Sequence, residues 1–242
     1  MAEIARAVAV TTGDEGVRAA LERYVARLLE RNAATNLTAA RDPASVVEHV
    51  RDSLGLVPYV REPLVDVGSG GGFPGIPLAI ATGAATTLIE SVAKKAAFLR
   101  AVADELALPV EVICARAENV GRDPAFRERF ASATARAVGG VSTVLELTIP
   151  LLRVGGVALL QRGGLTPVQR AAAGDAALVL GAAVAGEYEV VEEGVIERRP
   201  DVPGGRRLLI VHKLAPTGPR FPRRAGVPAK RPLCDPEAPR HA

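Results

Sequence analysis

The chain has 242 residues, 48% of them hydrophobic, which suffices for one sizeable α/β domain with appendages or for two small domains. Its net charge of +3 is modest, and the excess of arginine over lysine, 26 against four, is more typical of a GC-rich genome than of an RNA-binding surface. The amino terminus lacks a basic leader and a cleavage pattern, and prolines and glycines interrupt the uncharged stretch 73–89, so composition favours a cytoplasmic protein over a secreted or membrane-spanning one. The two cysteines are far apart, Cys114 in a predicted core strand and Cys234 in a tail, and indicate neither a disulfide nor a metal site.

Two helices are predicted in the first sixty residues. Thr12 and Glu15 have the spacing of a capping box, and apolar residues then recur at helical spacing to about residue 31. A polar connector follows over 32–41, after which Asp42 and Pro43 begin a second helix as N-cap and first-turn proline. The sequence therefore predicts an N-terminal helical extension over residues 1–60.

A glycine-rich turn follows the short apolar strand predicted at 64–67. Its glycines permit positive φ at little cost and let a ligand approach bare backbone. Pro74 and Pro77 suit the first turn of the helix that comes next. A strand, a glycine turn and a helix amino terminus together make a nucleotide-binding cradle.

Two cofactors fit this cradle. The glycines at 70, 72 and 75 have the G-x-G-x-x-G spacing of a dinucleotide site, so NAD is one candidate. The other register begins at an acid and is typical of S-adenosylmethionine-dependent methyltransferases. Glu90 ends the next predicted strand, where either cofactor needs a carboxylate for its ribose hydroxyls. The residues of the second register are Asp66, Gly68, Gly70 and Gly72.

From residue 64 onwards, predicted strands and helices alternate. The strands are predicted at 64–67, 86–90, 110–114, 131–136, 157–161, 183–192 and 206–214, and the helices at 75–82, 91–102, 124–129, 141–152 and 167–180. Repeated β-α units imply a parallel sheet, and the last two strands, which no helix separates, imply an antiparallel hairpin at one edge. That ending is typical of class I methyltransferases, whereas a dinucleotide fold repeats its mononucleotide half. We therefore expect an α/β, Rossmann-like methyltransferase domain over 61–214, followed by a basic Pro/Arg-rich tail over 215–242.

At this point the motifs, in their order, resemble those of one family. The chain is similar over nearly its whole length to the small-subunit rRNA methyltransferase G family, also called the glucose-inhibited division protein B family. The segments that carry the resemblance are 36–38, 41–43, 49–53, the cofactor loop 66–77, the residues Ser91, Lys94, Lys95, Phe98 and Leu99, then Arg136 with Ala137, Arg207 with Lys213, and 221–226 with Lys230, Pro232 and Leu233. The family usually has lysine where this chain has Arg162, which keeps the charge but changes the geometry.

The resemblance implies methyl transfer from S-adenosyl-L-methionine, which leaves S-adenosyl-L-homocysteine, to N7 of a guanine in 16S rRNA of the small ribosomal subunit. Motif and resemblance together predict these cofactor-binding residues: Asp66, Gly68, Gly70, Gly72, Phe73, Glu90, Ser91, Ala117, Glu118 and Arg136. The side chain of Phe73 is expected to stack on the adenine in preference to filling the core beneath the loop.

Guanine N7 has an in-plane lone pair and loses no proton, so the reaction needs alignment and no general base. The fourth strand lacks the cysteine of cytosine C5 methylation and the Pro-Pro motif of exocyclic amine methylation. No catalytic residue is therefore predicted, except Arg136 as a positioning candidate. His49 and Asp52, one helical turn apart, are interpreted as structural.

The distribution of basic residues along the sequence is more informative about RNA binding than the total charge. The tail 215–242 has six basic residues against two acidic ones, which leaves a net charge of −1 for the other 214 residues. We expect this tail to be extended and to follow the RNA backbone. The predicted RNA-binding residues are Arg116, Arg162, Arg207, Arg220, Arg223, Arg224 and Lys230.

The expected partner is 16S rRNA or the small ribosomal subunit, with no membrane and a monomeric protein. Two alternatives stay open. One is a class I methyltransferase that acts on another RNA or a small molecule. The other is a non-catalytic RNA-binding module with a vestigial pocket, which the intact Asp66, glycine turn and Glu90 disfavour.

Overall fold

The computed structural model describes residues 8, 12–190, 196–197 and 206–234. Within these ranges, eight strands form one sheet with helices on both faces. The strands are β1 Leu64–Val67, β2 Thr86–Ile89, β3 Val110–Ile113, β4 Phe130–Arg136, β5 Leu152–Gly163, β6 Ala182–Val190, β7 Ile196–Glu197 and β8 Arg206–Lys213. The helices are α1 Glu15–Thr35, α2 Pro43–Leu54, α3 Gly75–Thr82, α4 Ala93–Glu105, α5 Ala117–Val120, α6 Val141–Thr148, α7 Pro167–Val179 and α8 Val227–Lys230, with 3-10 turns at Val57–Tyr59 and Ile149–Leu151.

The order of the strands is β3-β2-β1-β4-β5-β8-β6-β7. The first five are parallel, while β8 is antiparallel to both β5 and β6. This confirms the predicted class I methyltransferase fold with its antiparallel ending. The chain reverses direction along the sheet between β1 and β4, so a crevice opens beside the carboxyl ends of these two strands, where α/β proteins bind ligands.

The N-terminal helices pack on one face of the sheet. Leu21 and Leu28 of α1 belong to the same buried cluster as Ile76 of α3, Leu88 of β2 and Leu99 of α4. The opposite face is covered by α5, α6, α7 and part of the tail, in a second cluster. Because helices cover both faces of the sheet, β1 and β4 are buried along nearly their whole length, including the polar residues Asp66, Ser132 and Thr134.

Several predicted boundaries were wrong. The N-cap of α1 is Asp14, whose side chain accepts from the N–H of Val17, and the helix continues to Thr35. Residues 124–128 form turns, and the short helix lies earlier, at α5. Ser91 does not cap α4, because its N-cap position is Val92. β5 begins at Leu152 rather than 157.

Cys114 is exposed just after β3 and is not part of a core strand. The end of the predicted strand 183–192, the turn-rich stretch 200–205 and the last eight residues lie outside the described residues. Among the helices that are described, none is long and apolar enough to cross a membrane.

The tail is not an extended arm up to Cys234. Phe221 is buried in the cluster beneath α6, and the Arg127 guanidinium donates to the carbonyls of Thr217, Gly218 and Phe221. Thr143 of α6 donates to the carbonyl of Pro228 in the short helix α8. Turns and these contacts therefore fold residues 215–234 against the domain. The free energy gained by burying Phe221 outweighs the conformational entropy that an extended, charged tail would keep.

Candidate functional site

The glycine turn joins β1 to α3 at the carboxyl edge of the sheet. The N–H groups of Gly68 and Ser69 both donate to the carbonyl of Ile89, which fastens the start of the turn to the end of β2. Gly68 has φ 73° and Gly70 has φ 56°, a region where a side chain would be strained. Both glycines are partly exposed, so their bare backbone faces the crevice.

A fully buried carboxylate supports this turn from below. Asp66 accepts from the Thr134 hydroxyl at 2.8 Å and from the N–H of Gly75 at 3.3 Å. Burial raises the pKa of Asp66 to about 6, against the lowering effect of these hydrogen bonds. This corrects the prediction that Asp66 contacts the cofactor, because an enclosed carboxylate orders the loop and cannot reach a ligand.

Two other predicted contacts also serve packing. The Phe73 ring is buried edge-on against Tyr24 and His49, with centroid distances of 5.6 and 5.4 Å. It therefore fills the core beneath the loop, and the expected stacking of this side chain on the adenine was wrong. A Cβ on Gly72 would lie 2.8 Å from the Tyr24 hydroxyl, so Gly72 allows close packing and offers no open surface.

Glu90 follows β2 and points back at the glycine turn. Its Oε2 accepts from the N–H of Gly70 at 2.9 Å, and its Oε1 from the N–H of Val92 at 2.7 Å. Each carboxylate oxygen can accept a second hydrogen bond, so Glu90 keeps capacity for ribose hydroxyls. Ser91, next to it, is exposed at the same edge.

The segment that follows β3 was also predicted to contact the cofactor. Ala117 and Glu118 are buried in the first turn of α5, and Glu118 Oε1 accepts from the N–H of Gly226 at 2.8 Å. The tail therefore helps to position a segment that was predicted to contact the cofactor. Arg116, just before it, is exposed.

These residues fit S-adenosylmethionine better than NAD. The glycine turn lacks a basic side chain, and the carboxylate of Glu90 contacts it, which is unfavourable for a pyrophosphate. Gly75, the last glycine of the dinucleotide spacing, is a packing glycine, because a Cβ there would lie 2.4 Å from Leu88 Cδ2. Bare backbone at Gly68 and Gly70 leaves room for the methionine and ribose part of the cofactor.

A cavity of about 440 Å³ opens beside the glycine turn, at the ends of β4, β5 and β8. Val138 separates the two, since its Cγ2 lies 2.8 Å from where a Cβ of Gly68 would stand. The polar side chains around this cavity are Asp52, Arg136, Gln161, Arg162, Arg206 and Arg207. The position suits an acceptor molecule that must meet the cofactor.

Helix α2 supplies partners to the cavity's cations. Arg136 Nη2 donates to His49 Nδ1 at 2.6 Å, and Asp52 pairs with Arg206 at 2.6 Å. Because a guanidinium only donates, Nδ1 must be the unprotonated nitrogen, and burial together with Arg136 lowers the pKa of His49. His49 and Asp52 were interpreted as structural residues, and their contacts agree with this, because they hold the Arg136 side chain in place at the rim of the site.

The predicted RNA-binding residues divide into two groups. Arg162 is half-buried in the cavity wall, whereas the Arg207 side chain is only 1% exposed and pairs with Glu189 at 3.5 Å. Arg207 as an RNA contact is therefore corrected. Its neighbour Arg206, which the sequence analysis missed, is 57% exposed, because successive residues of a strand face opposite sides.

Arg223 is corrected too, since it is bound to the buried Glu146 of α6. The other tail cations that were predicted to bind RNA are exposed, and the guanidinium of Arg220 lies 4.8 Å from the centre of the Phe221 ring. The exposed set is Arg116, Arg220, Arg224 and Lys230.

Sequence reasoning missed Tyr24 and Gln161 as well as Arg206. Tyr24 donates to the carbonyl of Gly71 at 2.8 Å and so holds the cofactor loop from α1. Gln161 donates to the carbonyl of Asp52 at 2.6 Å. The alternation of side chains along β8 is the one sequence signal that could have pointed to Arg206 instead of Arg207. No local pattern in the sequence indicated Tyr24 or Gln161.

The sequence is similar to those of known proteins. The model of the family described as rRNA small subunit methyltransferase G matches residues 18–193. Ribosomal RNA small subunit methyltransferase G of Rubrobacter xylanophilus is 45% identical, over 88% of this chain and 82% of that protein. The protein of the same name from Pelotomaculum thermopropionicum is 38% identical, over 96% of each chain.

A solved structure shares the fold. The CcbJ methyltransferase from Streptomyces caelestis superposes with a TM-score of 0.53 at 15% identity, over 69% of this chain and 95% of that chain. At this identity the likeness shows the class I methyltransferase fold alone.

Proposed function

The chain belongs to the rRNA small subunit methyltransferase G family, and on this premise we propose that it transfers the methyl group of S-adenosyl-L-methionine to N7 of a guanine in 16S rRNA. The observation that carries the proposal is the placement of two compartments side by side. The glycine turn with Glu90 forms one, and the arginine-lined cavity at the ends of β4 and β5 forms the other.

The cofactor would lie across the glycine turn. The backbone of Gly68 and Gly70, the carboxylate of Glu90 with Ser91, and the segment Ala117–Glu118 would hold it. S-Adenosylmethionine supplies, when bound, a methyl group on a sulfonium. The carboxylate of Glu90 against the turn favours this cation over an anionic cofactor.

This chain's own part in the reaction would be alignment. Guanine N7 needs no deprotonation, and a base held in line gains rate through fixed orientation. Arg136 lies at the junction of the two compartments, held by His49. It would therefore act as a positioning residue.

RNA would be recognised mainly through its backbone. Arg162 and Arg206 line the cavity, and the exposed cations of the tail lie on the α5 side of the crevice, where Gly226 meets Glu118. Contacts with phosphates give affinity without reading sequence. The target is the 16S rRNA of the small subunit, so the proposed site of action is the cytoplasm, and we propose that the protein acts as a monomer. We also keep the division into an N-terminal helical extension (1–60), a methyltransferase domain (61–214) and a tail (215–242) as a proposal.

The test uses small subunits and naked 16S rRNA from a host that lacks this gene, incubated with the full chain and labelled S-adenosylmethionine. We expect a single 7-methylguanosine in 16S rRNA, located by mass spectrometry. Methylation at another atom or of another RNA would contradict the assignment. Binding of S-adenosylmethionine without any methyl transfer would leave the fold standing and overturn the function.

A further inference from the structure

Two side chains on neighbouring strands each keep one buried polar atom without a hydrogen-bond partner in the described part of the chain. These atoms are Nη1 of Arg136 and Oε1 of Gln161. The two residues are register partners in the parallel pair β4–β5, and both line the 440 Å³ cavity. An unsatisfied buried donor on one strand and an unsatisfied buried acceptor at the paired position of the next strand call for an explanation, because each costs free energy unless something binds it.

Helix α2 fixes the orientation of both groups. Gln161 Nε2 donates to the carbonyl of Asp52 at 2.6 Å, so the amide oxygen is the atom left over. Arg136 Nη2 donates to His49 Nδ1 at 2.6 Å, which leaves Nη1. The closest charge to Nη1 is Asp52 Oδ2 at 3.8 Å, beyond hydrogen-bonding distance. Helix α2 therefore leaves one fixed donor and one fixed acceptor on neighbouring strands in the wall of the cavity.

We propose that this pair recognises the target base, with Arg136 Nη1 donating to O6 of guanine and Gln161 Oε1 accepting from N1–H. The inference rests on the proposed function and names the residues that select the base. O6 and N1–H are adjacent in guanine. Adenine has an amino donor and a bare ring nitrogen at the same places, so its pattern is reversed. The site thus admits guanine and rejects adenine.

This pose also leaves N7 free. N7 lies next to O6 on the other side, so a base held by O6 and N1–H turns N7 away from the protein pair. In the transfer, the N7 lone pair forms a bond to the methyl carbon while the carbon–sulfur bond breaks and its electron pair stays on sulfur. No proton leaves, and the base gains the positive charge. Asp52, between Arg136 and Arg206, offsets the accumulation of cations at this point.

The test compares three bases at the methylated position, once mass spectrometry has mapped it. Small subunits are reconstituted with ligated 16S rRNA that carries guanine, inosine or 2,6-diaminopurine there. All three bases keep N7, and inosine keeps O6 and N1–H, whereas diaminopurine has the reversed pattern. We expect the wild-type protein to methylate guanine and inosine with similar kcat/KM, and diaminopurine at least ~100-fold less efficiently.

A variant of Gln161 then tests whether this residue is responsible for the preference for guanine over diaminopurine. Gln161→Leu removes the acceptor at similar volume, so kcat/KM on guanine should fall by about 10-fold or more and the preference over diaminopurine should shrink. Its affinity for S-adenosylmethionine should stay as in the wild type. Gln169→Leu is the matched control, the same change in the exposed first turn of α7, and should keep the full preference.

Equal methylation of guanine and diaminopurine by the wild-type protein would overturn the inference, and so would a Gln161→Leu protein that keeps the wild-type preference. The comparison of the three bases with the wild-type protein tests the proposed recognition of O6 and N1–H even if the variant fails to fold. If the wild-type protein methylates another atom or another RNA, the proposed function fails and the inference with it.

Discussion

Arg223 binds Glu146 with a bidentate guanidinium contact, at 2.9 Å from Nε to Oε1 and 2.6 Å from Nη2 to Oε2, and the Glu146 side chain is completely buried. The backbone N–H of Arg223 donates to the same carboxylate at 2.8 Å. This pair joins the tail to α6, and it shows why the tail cannot be treated as a free basic arm.

We therefore expect Arg223→Ala to cost about 3 kcal/mol or more in the free energy of unfolding, because it leaves a buried carboxylate without its cation. Urea denaturation measures this directly. Arg224→Ala is the matched control, since this neighbouring side chain is exposed, and should stay within about 0.5 kcal/mol of the wild type. Equal stability of the two variants would contradict the structural role of Arg223.

RNA affinity should depend on the exposed cations of the tail. Replacing Arg220, Arg224 and Lys230 with alanine should weaken binding to 16S rRNA and make the slope of log affinity against log salt shallower by about 2. Filter binding over a series of salt concentrations measures both quantities. Arg153→Ala, exposed at the amino end of β5 and so on the opposite edge of the sheet, should change neither. An unchanged slope in the triple variant would remove the tail from the RNA interface.

Deleting the whole tail would be a poorer experiment. The N–H of Gly226 binds Glu118 beside the cofactor crevice, and Phe221 is a core residue. We expect a protein that ends at residue 214 to lose stability and affinity for S-adenosylmethionine together, as urea denaturation and a calorimetric titration would report. Undiminished cofactor affinity after truncation would show that the Ala117–Glu118 segment holds its position without the tail.

Asp66 should make stability depend on pH. Burial raises its pKa to about 6 in the folded protein from 3.8 in the unfolded chain. The folded state therefore holds a proton that the unfolded chain has already released, a contribution that is complete below pH ~4 and lost as the pH rises through ~6. Asp66→Asn removes this titration, so the wild type should lose about 3 kcal/mol relative to the variant between pH 4 and 7.

Unfolding free energies of both proteins across that pH range provide the measurement. Asp104→Asn, exposed on α4, controls for the removal of a carboxylate as such. A difference between wild type and Asp66→Asn that stays constant with pH, or that grows in favour of the wild type, would refute the titration of Asp66.

Gly75 should tolerate no side chain. An added Cβ would lie 2.4 Å from Leu88 Cδ2 and 2.9 Å from Asp66 Oδ2, so Gly75→Ala should cost about 1–3 kcal/mol and weaken cofactor binding. Gly174→Ala in α7 is the control, because a Cβ there meets nothing within 4 Å, and it should stabilise the protein by up to about 1 kcal/mol. Urea denaturation of both variants measures these changes in the free energy of unfolding. A Gly75→Ala protein as stable as the wild type would contradict the close packing of α3 against β2.

The sequence by itself determined the order of the elements, the glycine turn and the antiparallel ending. These features depend on local chemistry: an apolar strand such as Leu64–Val67, glycines at positive φ, and prolines at the start of a helix. Glu90 was found in the same way, because the last residue of a parallel strand must lie at the edge where ligands bind. Periodicity and turn chemistry act within a few residues, so a single sequence reveals them.

Only the tertiary structure decided what the charged and polar side chains do. The direction of Arg206 and Arg207 follows from the register of β8 on β5, and the pairing of Arg223 from a carboxylate 77 positions earlier in the chain. The free atoms of Arg136 and Gln161 exist because residues of α2, 87 and 109 positions earlier in the chain, occupy their other hydrogen-bonding groups. A charge or an amide has no fixed role until its long-range partners are known, since its energy depends on whether it is paired, buried or exposed.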